Sequence, residues 1–494
     1  MYLNCKTFFS FRFGTFSTKE LVETAAALGI NALALTNINS TCNNWEFVKL
    51  CRDHGIKPIP GLEVRNDDEL LYLLIAANNK GLYWINEFLT THLVERKPFP
   101  HPADDTNFFS EPGDGFVIFP FGNKQPASLK ENERIGVLTS DIPSLYNIDF
   151  AKYQQKFVIR QPVTVQDKKR FNLHRLLRAI DKNLLLSKLP LSAQCDPDET
   201  FKSPAELLSQ FRQYPFIVTN TYRLIDSADI GMDFKVDKTK KTFSASIEDD
   251  RVLLEKLAKD GLVFRYGKRN KVAAERLARE LKIIYDLGFT SYFLINWDII
   301  RYAQSRGFYY VGRGSGANSI VAFCLRITDV DPIELNLYFE RFLNPHRTSP
   351  PDFDIDFSYT DRDEVIDYIF KRYGKKHVAL LGSYPTFQHD AIILQLGKVF
   401  GLPVDEIKSL QLTNKPVDHI QQLIMQYGSL MRNFPSNLSI HPCGMLISEE
   451  PILNHVSLFM PPKGFPTTQM DMFVAEDIGL NKFDILSQRG LGHI

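Results

Sequence analysis

Three aspartates, Asp352, Asp354 and Asp356, alternate with apolar residues in the segment DFDIDF. In a strand, alternate side chains share a face, so the three carboxylates would face one way and Phe353 and Phe357 the other. Closely spaced carboxylates repel each other unless cations or water compensate their charge. Oxygen ligands suit Mg²⁺, which can activate a hydroxyl and stabilise a leaving phosphate. The pattern predicts either such a site or an exposed acidic strand edge.

A glycine-rich segment, 312–319, lies between an aromatic strand pattern and an apolar helix pattern at 320–327. A strand, a glycine turn and a helix start can present backbone N–H groups and the helix dipole to an anion. Arg313 could add a charge and Ser315 a hydroxyl. The spacing differs from that of the P-loop and of the dinucleotide-binding fingerprint. The segment predicts an anion-binding loop or a tight structural turn.

Cations and one more carboxylate flank these two segments. Arg341 and Arg347 precede the acidic strand, and guanidinium groups are effective clamps for a triphosphate, although single surface arginines often form ion pairs instead. Lys482 and Asp484 alternate with apolar residues in a second strand pattern near the end of the chain. Taken together, the carboxylates, the glycine loop and the cations are the groups that phosphoryl transfer on a nucleotide requires.

The first 230 residues must position a separate domain, because helix and strand patterns alternate through them. A capping box, Ser17 with Glu20, opens the first helix. Repeated βα units predict a parallel sheet, either open or closed into a barrel. The expected elements are a helix at 19–28, a strand at 31–36, a helix at 45–54 and a strand at 57–63.

A change in composition near residue 230 predicts a domain boundary, and residues 400–450 predict a small helical insert. Between them, residues 247–286 form a strongly helical and basic pattern. Such a pattern is typical either of a solvated helix face or of a nucleic-acid contact, and the sequence leaves both open.

The composition sets limits on these interpretations. The 494 residues include 58 Lys+Arg and 58 Asp+Glu, so the net charge of zero excludes a histone-like polycation but not a local basic groove for nucleic acid. The six cysteines form no CxxC pair and are typical of reduced thiols. Because no signal peptide or membrane-spanning stretch is visible, we expect a cytoplasmic protein.

Several segments resemble the C-family DNA polymerases, the bacterial DNA polymerase III alpha subunits. Residues 1–230 are more weakly similar to the polymerase-and-histidinol-phosphatase (PHP) domain of that family, through YLNCKTFFSFRFGTFS, ALALTN and KPIPGLE. The similar polymerase segments are GFTSYFLINWD (288–298), GRGSGANSIVAFCLRITDVDP (312–332), FERFLNPHRTSPPDFDIDF (339–357), IHPCGMLIS (440–448) and GLNKFDIL (479–486).

The resemblance implies a multidomain chain of α/β and α+β architecture. A barrel-like, degenerate PHP domain would span 1–230. A nucleotidyltransferase palm would span 231–400 and 455–494, with a small helical thumb inserted at 401–454. The implied partners are primer–template DNA, deoxynucleoside triphosphates, and a sliding clamp and other replisome subunits bound through regions outside this chain.

The resemblance also implies specific residue roles. Two Mg²⁺ ions at the palm would promote attack of a primer 3′-hydroxyl on the α-phosphate of a nucleotide, with release of pyrophosphate. The implied catalytic metal ligands are Asp352, Asp354 and Asp484, and the implied nucleotide-binding residues are Gly314, Ser315, Arg341 and Lys482.

The first domain departs from the family pattern at its metal-binding positions. The family's HxH near the start reads Asn4 and Lys6, its Asp-His reads Asn37 followed by an isoleucine, and a later histidine position is occupied by Arg223. Glu63 remains, but one carboxylate cannot hold a metal cluster. We therefore expect no metal and no phosphoesterase or proofreading activity in this domain.

The palm departs less. Asn318 stands where a glycine is common, and Leu394 and Gln395 stand where an arginine and an acidic residue are usual. Family members also continue into fingers and further modules. We therefore expect the 494-residue chain alone to extend a primer weakly or not at all. The alternative function is a non-catalytic DNA-binding or replisome-interaction fragment.

Overall fold

The computed structural model describes residues 1–343 and 353–493. The chain divides into two compact units, and each is treated by itself. Unit 1 comprises Met1–Met232, Ser383–Ser439 and Leu453–Met460, and unit 2 comprises Asp233–Gly382, Ile440–Ile452 and Pro461–Ile494. The first segment of unit 1 ends close to the boundary expected near residue 230. The assignment of palm and thumb domains stays a prediction.

In the described ranges the strands are β1 (Tyr2–Cys5), β2 (Ala32–Leu35), β3 (Lys57–Asn66), β4 (Glu69–Ala76), β5 (Gly115–Pro120), β6 (Glu133–Val137), β7 (Phe157–Ile159), β8 (Pro162–Val163), β9 (Tyr310–Arg313), β10 (Asp354–Ser358), β11 (Val378–Ser383), β12 (Ser439–Ile447), β13 (Leu458–Phe459), β14 (Thr467–Thr468) and β15 (Lys482–Gln488). Over the same ranges the α-helices are α1 (Thr18–Ala27), α2 (Asn44–Asp53), α3 (Asn79–Glu95), α4 (Phe150–Tyr153), α5 (Lys168–Lys182), α6 (Pro204–Gln210), α7 (Pro215–Ser227), α8 (Ile247–Tyr266), α9 (Lys271–Asp286), α10 (Thr290–Arg306), α11 (Ile320–Cys324), α12 (Arg362–Tyr373), α13 (His389–Phe400), α14 (Val404–Thr413), α15 (His419–Met431) and α16 (Met472–Ile478).

Unit 1 is built on a mixed sheet with the strand order β7-β6-β5-β4-β3-β2-β1-β8. The predicted helix–strand alternation at its start is confirmed, and the capping box of Ser17 and Glu20 opens α1. The sheet is not wholly parallel, as the βα pattern suggested, because β4 runs antiparallel to both β3 and β5. The two-residue connection from β3 to β4, in which Asp67 has a φ of 49°, permits only an antiparallel hairpin.

The predicted helical insert at 401–454 is only partly correct. Helices α14 and α15 form within it, and they pack with α5 and α13 around a core that includes Leu176, Leu396 and Ile424. The end of the range is instead the strand β12, which pairs with β15. Its central glycine and proline hide the alternation that usually indicates a strand.

Unit 2 contains six strands in the order β14-β11-β12-β15-β10-β9. The predicted alternation of the acidic strand is confirmed, since Phe353, Ile355 and Phe357 are buried in one core with Phe483 of β15. Tyr292 of α10 stacks on Phe353 with 5.7 Å between ring centroids. Aromatic packing therefore fixes the apolar face of β10 and orients its acidic face away from the core.

The chain thus has the mixed, multidomain α/β and α+β architecture that the sequence predicted, with a barrel-like sheet in its first domain. Among the helices of the described residues, none combines the length and the apolar character that a bilayer crossing would need.

Candidate functional site

The acidic residues of β10 and β15 lie side by side. These strands pair in parallel, and Asp354 is the register partner of Asp484. Neighbouring strands are about 4.8 Å apart, and register partners project from the same face of a sheet. Two carboxylates separated by 129 intervening residues are therefore neighbours. The third predicted ligand, Asp352, lies outside the described residues.

Arg313 of β9 compensates the charge of the acidic strand. Its Nη1 donates to Oδ2 of Asp354 at 2.9 Å, and its Nε donates to Oδ2 of Asp356 at 2.6 Å. The hydrogen bond to Asp356 is the chief cause that raises the pKa of Arg313. The Asp356 side chain is 6% exposed and that of Asp354 is 26% exposed. Of the two, Asp354 is therefore the carboxylate that a ligand can reach.

Asp484 is buried, and only one of its two carboxylate oxygens has a hydrogen-bonding or ion-pair partner among the described residues. Lys482 forms an ion pair with its Oδ2. Its Oδ1 is buried and, within the described residues, accepts no hydrogen bond. A buried acceptor without a partner is costly, so this oxygen is placed to accept an N–H, a water or a metal ion. Lys482 contacts the carboxylate itself, whereas the sequence predicted contact with a triphosphate.

The glycine-rich segment approaches the acidic strand at Gly314. This residue has a φ of 83°, and a Cβ atom on it would lie 3.0 Å from Oδ2 of Asp354. A Cβ on Gly316 would meet the ring of Phe353 at 2.2 Å. Glycine is therefore required twice, once for the left-handed backbone and once for close packing. Ser315 lies in the same turn, and its carbonyl accepts a hydrogen bond from the side chain of Asn318.

The helix start that follows this loop already contacts side chains of the protein itself, and the predicted role of the loop in binding an anion stays a prediction. Helix α11 has five residues, and Ser319 caps it by accepting from the N–H of Ala322. The carboxylate of Glu280 accepts from the Ser319 hydroxyl at 2.9 Å and from the N–H of Val321 at 3.4 Å. The chain supplies its own anion to this helix end, so these amides are not available to a phosphate.

Two residues of α9, Arg276 and Glu280, support the loop; Arg276 was predicted only as a member of the basic helical pattern, and Glu280 was not singled out. Arg276 donates to the carbonyl of Asn318 at 2.7 Å and pairs with Glu280 at 2.9 Å. Burial raises the pKa of Glu280 to about 7, although Arg276 opposes the shift. The available signal was the i,i+4 spacing of Arg276 and Glu280. Arg276, one member of the basic pattern of 247–286, therefore stabilises the fold, since its guanidinium bonds to groups inside the protein.

The structure gives less information about the two remaining predicted cations, Arg341 and Arg347. Arg341 ends a short 3₁₀ turn, Phe339–Arg341, and is exposed. Arg347 lies outside the described residues. The structure therefore brings Gly314, Asp354, Asp484 and Lys482 into one region of unit 2 and leaves the role of Arg341 a prediction.

A second group of ligand-type side chains contacts the same region. Ligand atoms of His441, Cys443 and Asp484 lie within 4.8 Å of one another. Burial lowers the pKa of His441, and burial together with Asp484 raises the pKa of Cys443 to about 12. The sequence showed only the short His-Pro-Cys spacing, and nothing in it indicated that Asp484 would be adjacent.

In unit 1, the residues at the family's metal-binding positions form a polar cluster around Glu63. The Nζ of Lys6 lies 2.8 Å from Oε2 of Glu63, and Asn4 donates to the same oxygen at 2.6 Å. Arg65 contacts the other oxygen, Oε1, at 2.6 Å. Burial would raise the pKa of Glu63, but Lys6 and Arg65 together lower it to about 2. A lysine ammonium therefore balances this carboxylate.

The other substituted positions of unit 1 are also engaged or remote. The Oδ1 of Asn37 accepts from the backbone N–H of Thr7 at 2.8 Å and from the Ser10 hydroxyl at 2.9 Å. Arg223 is exposed on α7. The expectation that this domain holds no metal and has no phosphoesterase activity stays a prediction.

Two family models match the chain. The PHP domain matches residues 3–114, and the bacterial DNA polymerase III alpha NTPase domain matches residues 252–487. The chain is 31% identical to the DNA polymerase III subunit alpha of Bacillus subtilis (strain 168), over 96% of this chain and 47% of that protein. It is 30% identical to the same subunit of Halalkalibacterium halodurans, over 95% of this chain and 46% of that protein.

An error-prone DNA polymerase of Symbiobacterium thermophilum is also similar, with 28% identity over 99% of this chain and 51% of that protein. The chain spans about half the length of these curated relatives. The PHP match comes first along the chain and the polymerase match second, and each of these relatives aligns with at least 95% of this chain. Both findings agree with the polymerase motifs in the acidic and glycine-rich segments. The chain belongs to the bacterial DNA polymerase III alpha family and corresponds to the N-terminal portion of its members.

Proposed function

We propose that unit 2 carries the catalytic carboxylates of a DNA-directed DNA polymerase, which adds deoxynucleotides to a primer 3′-hydroxyl. The observation that carries this proposal is the parallel register of Asp354 with Asp484, in which one buried oxygen of Asp484 has no hydrogen-bond partner in the described ranges. Such an arrangement is costly for the folded chain alone and is suited to a bound cation.

The donor set fits Mg²⁺, because it offers hard carboxylate oxygens on adjacent strands. Asp354 and Asp484 would hold the ions, with Asp352 as the proposed third ligand. When bound, two Mg²⁺ ions lower the pKa of an attacking hydroxyl and stabilise the leaving phosphate oxygen.

The chain's own residues prepare the site for that chemistry. Arg313 and Lys482 hold Asp354 and Asp484 in place through ion pairs and offset their mutual repulsion. Gly314 brings backbone close to Asp354 without a side chain in the way. We propose that Gly314 and Ser315 bind the triphosphate, and that Lys482 and Arg341 contact it when nucleotide is present.

We further propose that the protein acts in the cytoplasm on primer–template DNA and deoxynucleoside triphosphates, with a sliding clamp and other replisome subunits as partners. The chain alone would be weakly active or inactive in primer extension, because it spans only about half the length of the relatives it matches, and closure over the nascent base pair is what assembles polymerase-type sites. Primer extension by the purified chain at a rate typical of a complete polymerase would contradict this expectation.

Binding of Mn²⁺, followed by electron paramagnetic resonance, tests the proposed carboxylate site directly. Asp354→Asn and Asp484→Asn should each weaken Mn²⁺ binding about tenfold or more, since each removes a charged oxygen ligand. Asp286→Asn is the matched control, because Asp286 forms an exposed i,i+4 pair with Lys282 on α9. Equal Mn²⁺ affinity in the wild type and both site variants would refute the proposal.

The alternative function, a non-catalytic DNA-binding or replisome-interaction fragment, is favoured by the occupied end of α11. Glu280 and Ser319 already bond the amides that could have bound a phosphate. This alternative predicts that Asp354→Asn leaves DNA affinity unchanged and that neither Mn²⁺ nor nucleotide binds at Asp354. The Mn²⁺ titration therefore separates the two functions.

A further inference from the structure

Three side chains of different ligand type converge beside the proposed catalytic carboxylates. His441 and Cys443 belong to β12, and Asp484 belongs to the adjacent strand β15. An imidazole nitrogen, a thiol sulfur and a carboxylate oxygen, one from each residue, all lie within 4.8 Å of one another. Imidazole and thiolate are ligands that Zn²⁺ and similar cations prefer, whereas Mg²⁺ prefers oxygen alone.

The spacing of the first two donors matches a tetrahedral centre. The Nδ1 of His441 and the Sγ of Cys443 are 3.6 Å apart. Two ligands at the usual Zn–N distance of about 2.0–2.1 Å and Zn–S distance of about 2.3 Å are about 3.5 Å apart at a tetrahedral angle. The two side chains therefore need little movement to share one ion.

The third residue, Asp484, has one carboxylate oxygen without a hydrogen-bond partner among the described residues. The side chain of Asp484 is 4% exposed, and its Oδ1 accepts no hydrogen bond from any described residue. Oδ2 is already used by Lys482. A cation between the three side chains would satisfy the remaining oxygen and remove the cost of burying it.

The backbone around the three donors is held in place independently of any ion. Gly444 is the register partner of Asp484, and a Cβ on it would lie 3.0 Å from Nδ1 of His441. The glycine thus leaves room for the imidazole. Buried Arg362 donates to the carbonyl of Pro442 at 2.7 Å and to that of Ile485 at 2.7 Å. One guanidinium therefore ties the His441–Cys443 turn to the strand that carries Asp484.

We propose that His441, Cys443 and Asp484 form a binding site for one Zn²⁺-type cation, with a fourth position open to water. On binding, the Cys443 thiol releases its proton to solvent, and the thiolate sulfur, the imidazole lone pair and Oδ1 of Asp484 bond to the ion. No electron transfer is involved.

Two kinds of contact make this site weaker than a structural zinc centre. The Nδ1 of His441 accepts hydrogen bonds from the N–H of Gly444 at 2.9 Å and from the N–H of Cys443 at 3.4 Å, and the ion must displace both. The ammonium of Lys482 also repels a cation near Asp484. The site therefore fits a reversible, inhibitory ion, because an ion that uses Asp484 removes that carboxylate from Mg²⁺. This inhibitory consequence rests on the proposed function, whereas binding of the ion does not.

Titration of the full chain with Co²⁺ tests the site, because a cobalt–thiolate bond has a charge-transfer absorption in the near ultraviolet. The wild type should develop this band with one Co²⁺ per chain, and Zn²⁺ should abolish it by displacement. Cys443→Ser should lose the band, and His441→Ala should weaken Co²⁺ binding about tenfold or more. Cys42→Ser, in which a buried thiol beside Ser40 is changed, is the control and should behave as the wild type.

Mn²⁺ binding by the same variants keeps this proposal separate from the proposed function. Cys443→Ser and His441→Ala should retain Mn²⁺ binding, which also shows that the fold around Asp484 is intact. Absence of the band in the wild type, or its persistence in Cys443→Ser, would overturn the zinc-type site. Loss of Mn²⁺ binding in Asp354→Asn alongside an unchanged Co²⁺ band would support both proposals.

Discussion

Replacement of Lys6 by methionine directly tests the buried ion pair between Lys6 and Glu63 in unit 1. Methionine keeps the length and the apolar stem of the side chain but removes the ammonium that pairs with Glu63. Both side chains are almost completely buried, with 1% and 0% exposure. Arg65 contacts Oε1 of Glu63, so Oε2 would keep only the amide of Asn4 as a partner. In the variant, less positive charge lies near the buried carboxylate of Glu63 to balance its negative charge.

Two independent arguments give the size of the effect. Removal of one partner from a buried ion pair costs about 3–5 kcal/mol. A carboxyl whose pKa falls from its ordinary value of 4.5 to about 2 contributes about 3 kcal/mol to folding at neutral pH. Because Arg65 remains, we expect Lys6→Met to cost about 3 kcal/mol, at the lower end of the range.

The pH dependence follows from the direction of the shift. A lowered pKa gives a contribution that is present above the ordinary value of 4.5 and is lost as the pH falls toward 2. The destabilisation by Lys6→Met should therefore be largest near pH 7 and should shrink below pH 4. Glu63→Gln combined with Lys6→Met should recover part of the loss, because the amide carries no buried charge.

Native-state hydrogen exchange is the suitable assay, since a chain with two units need not unfold in one step. Peptides from β1 and β3 should exchange faster in Lys6→Met, and peptides from β10 and β15 serve as the internal reference. Lys19→Met, at an exposed i,i+4 pair, is the control and should change the opening free energy by less than about 0.5 kcal/mol. A cost below about 1 kcal/mol for Lys6→Met would refute the role assigned to the ammonium.

Two further predictions concern unit 2. Gly314→Ala and Gly267→Ala both place alanine at positive φ and should each lose about 1 kcal/mol of stability. Only Gly314→Ala should also weaken Mn²⁺ binding, because its Cβ contacts Asp354 whereas that of Gly267 meets open space; equal Mn²⁺ affinities would contradict this. Because burial raises the pKa of Glu280 to about 7, its contribution to folding is present below its ordinary pKa of 4.5 and lost as the pH rises through 7. Hydrogen exchange of α9 peptides should show that loss between about pH 4.5 and 7 in the wild type, and Glu280→Gln should abolish this part of the pH dependence.

Local patterns of residues were enough to predict much of unit 2. The alternation of Asp354 and Asp356 with aromatic residues predicted both a strand and its buried face, because period-2 burial is a local property of the backbone. The glycines of 312–319 predicted either an anion-binding loop or a tight turn, also from local residue types. The motifs and their order along the chain predicted the polymerase family.

The expectations that were wrong or incomplete depended either on distant residues or on local features that the sequence patterns did not reveal. A side chain from α9, Glu280, occupies the start of α11, which the sequence pattern had offered to an anion. Strand β12 was expected within a helical insert, because Pro442 and Gly444 interrupt its pattern. The antiparallel direction of β4 follows from a hairpin whose turn, at Asp67, carries no glycine signal.

The amino-acid sequence by itself determined which residues could do chemistry and which faces of their strands would be buried, since both depend on residue type and on the backbone period. Only the tertiary structure decided which of those residues are neighbours. Strand register and side-chain packing make Asp354 a neighbour of Asp484 and place His441 and Cys443 near Asp484. They also bring the Lys6 ammonium into contact with Glu63. Those interactions join segments as far as 129 intervening residues apart, and no local pattern encodes the distance between their side chains.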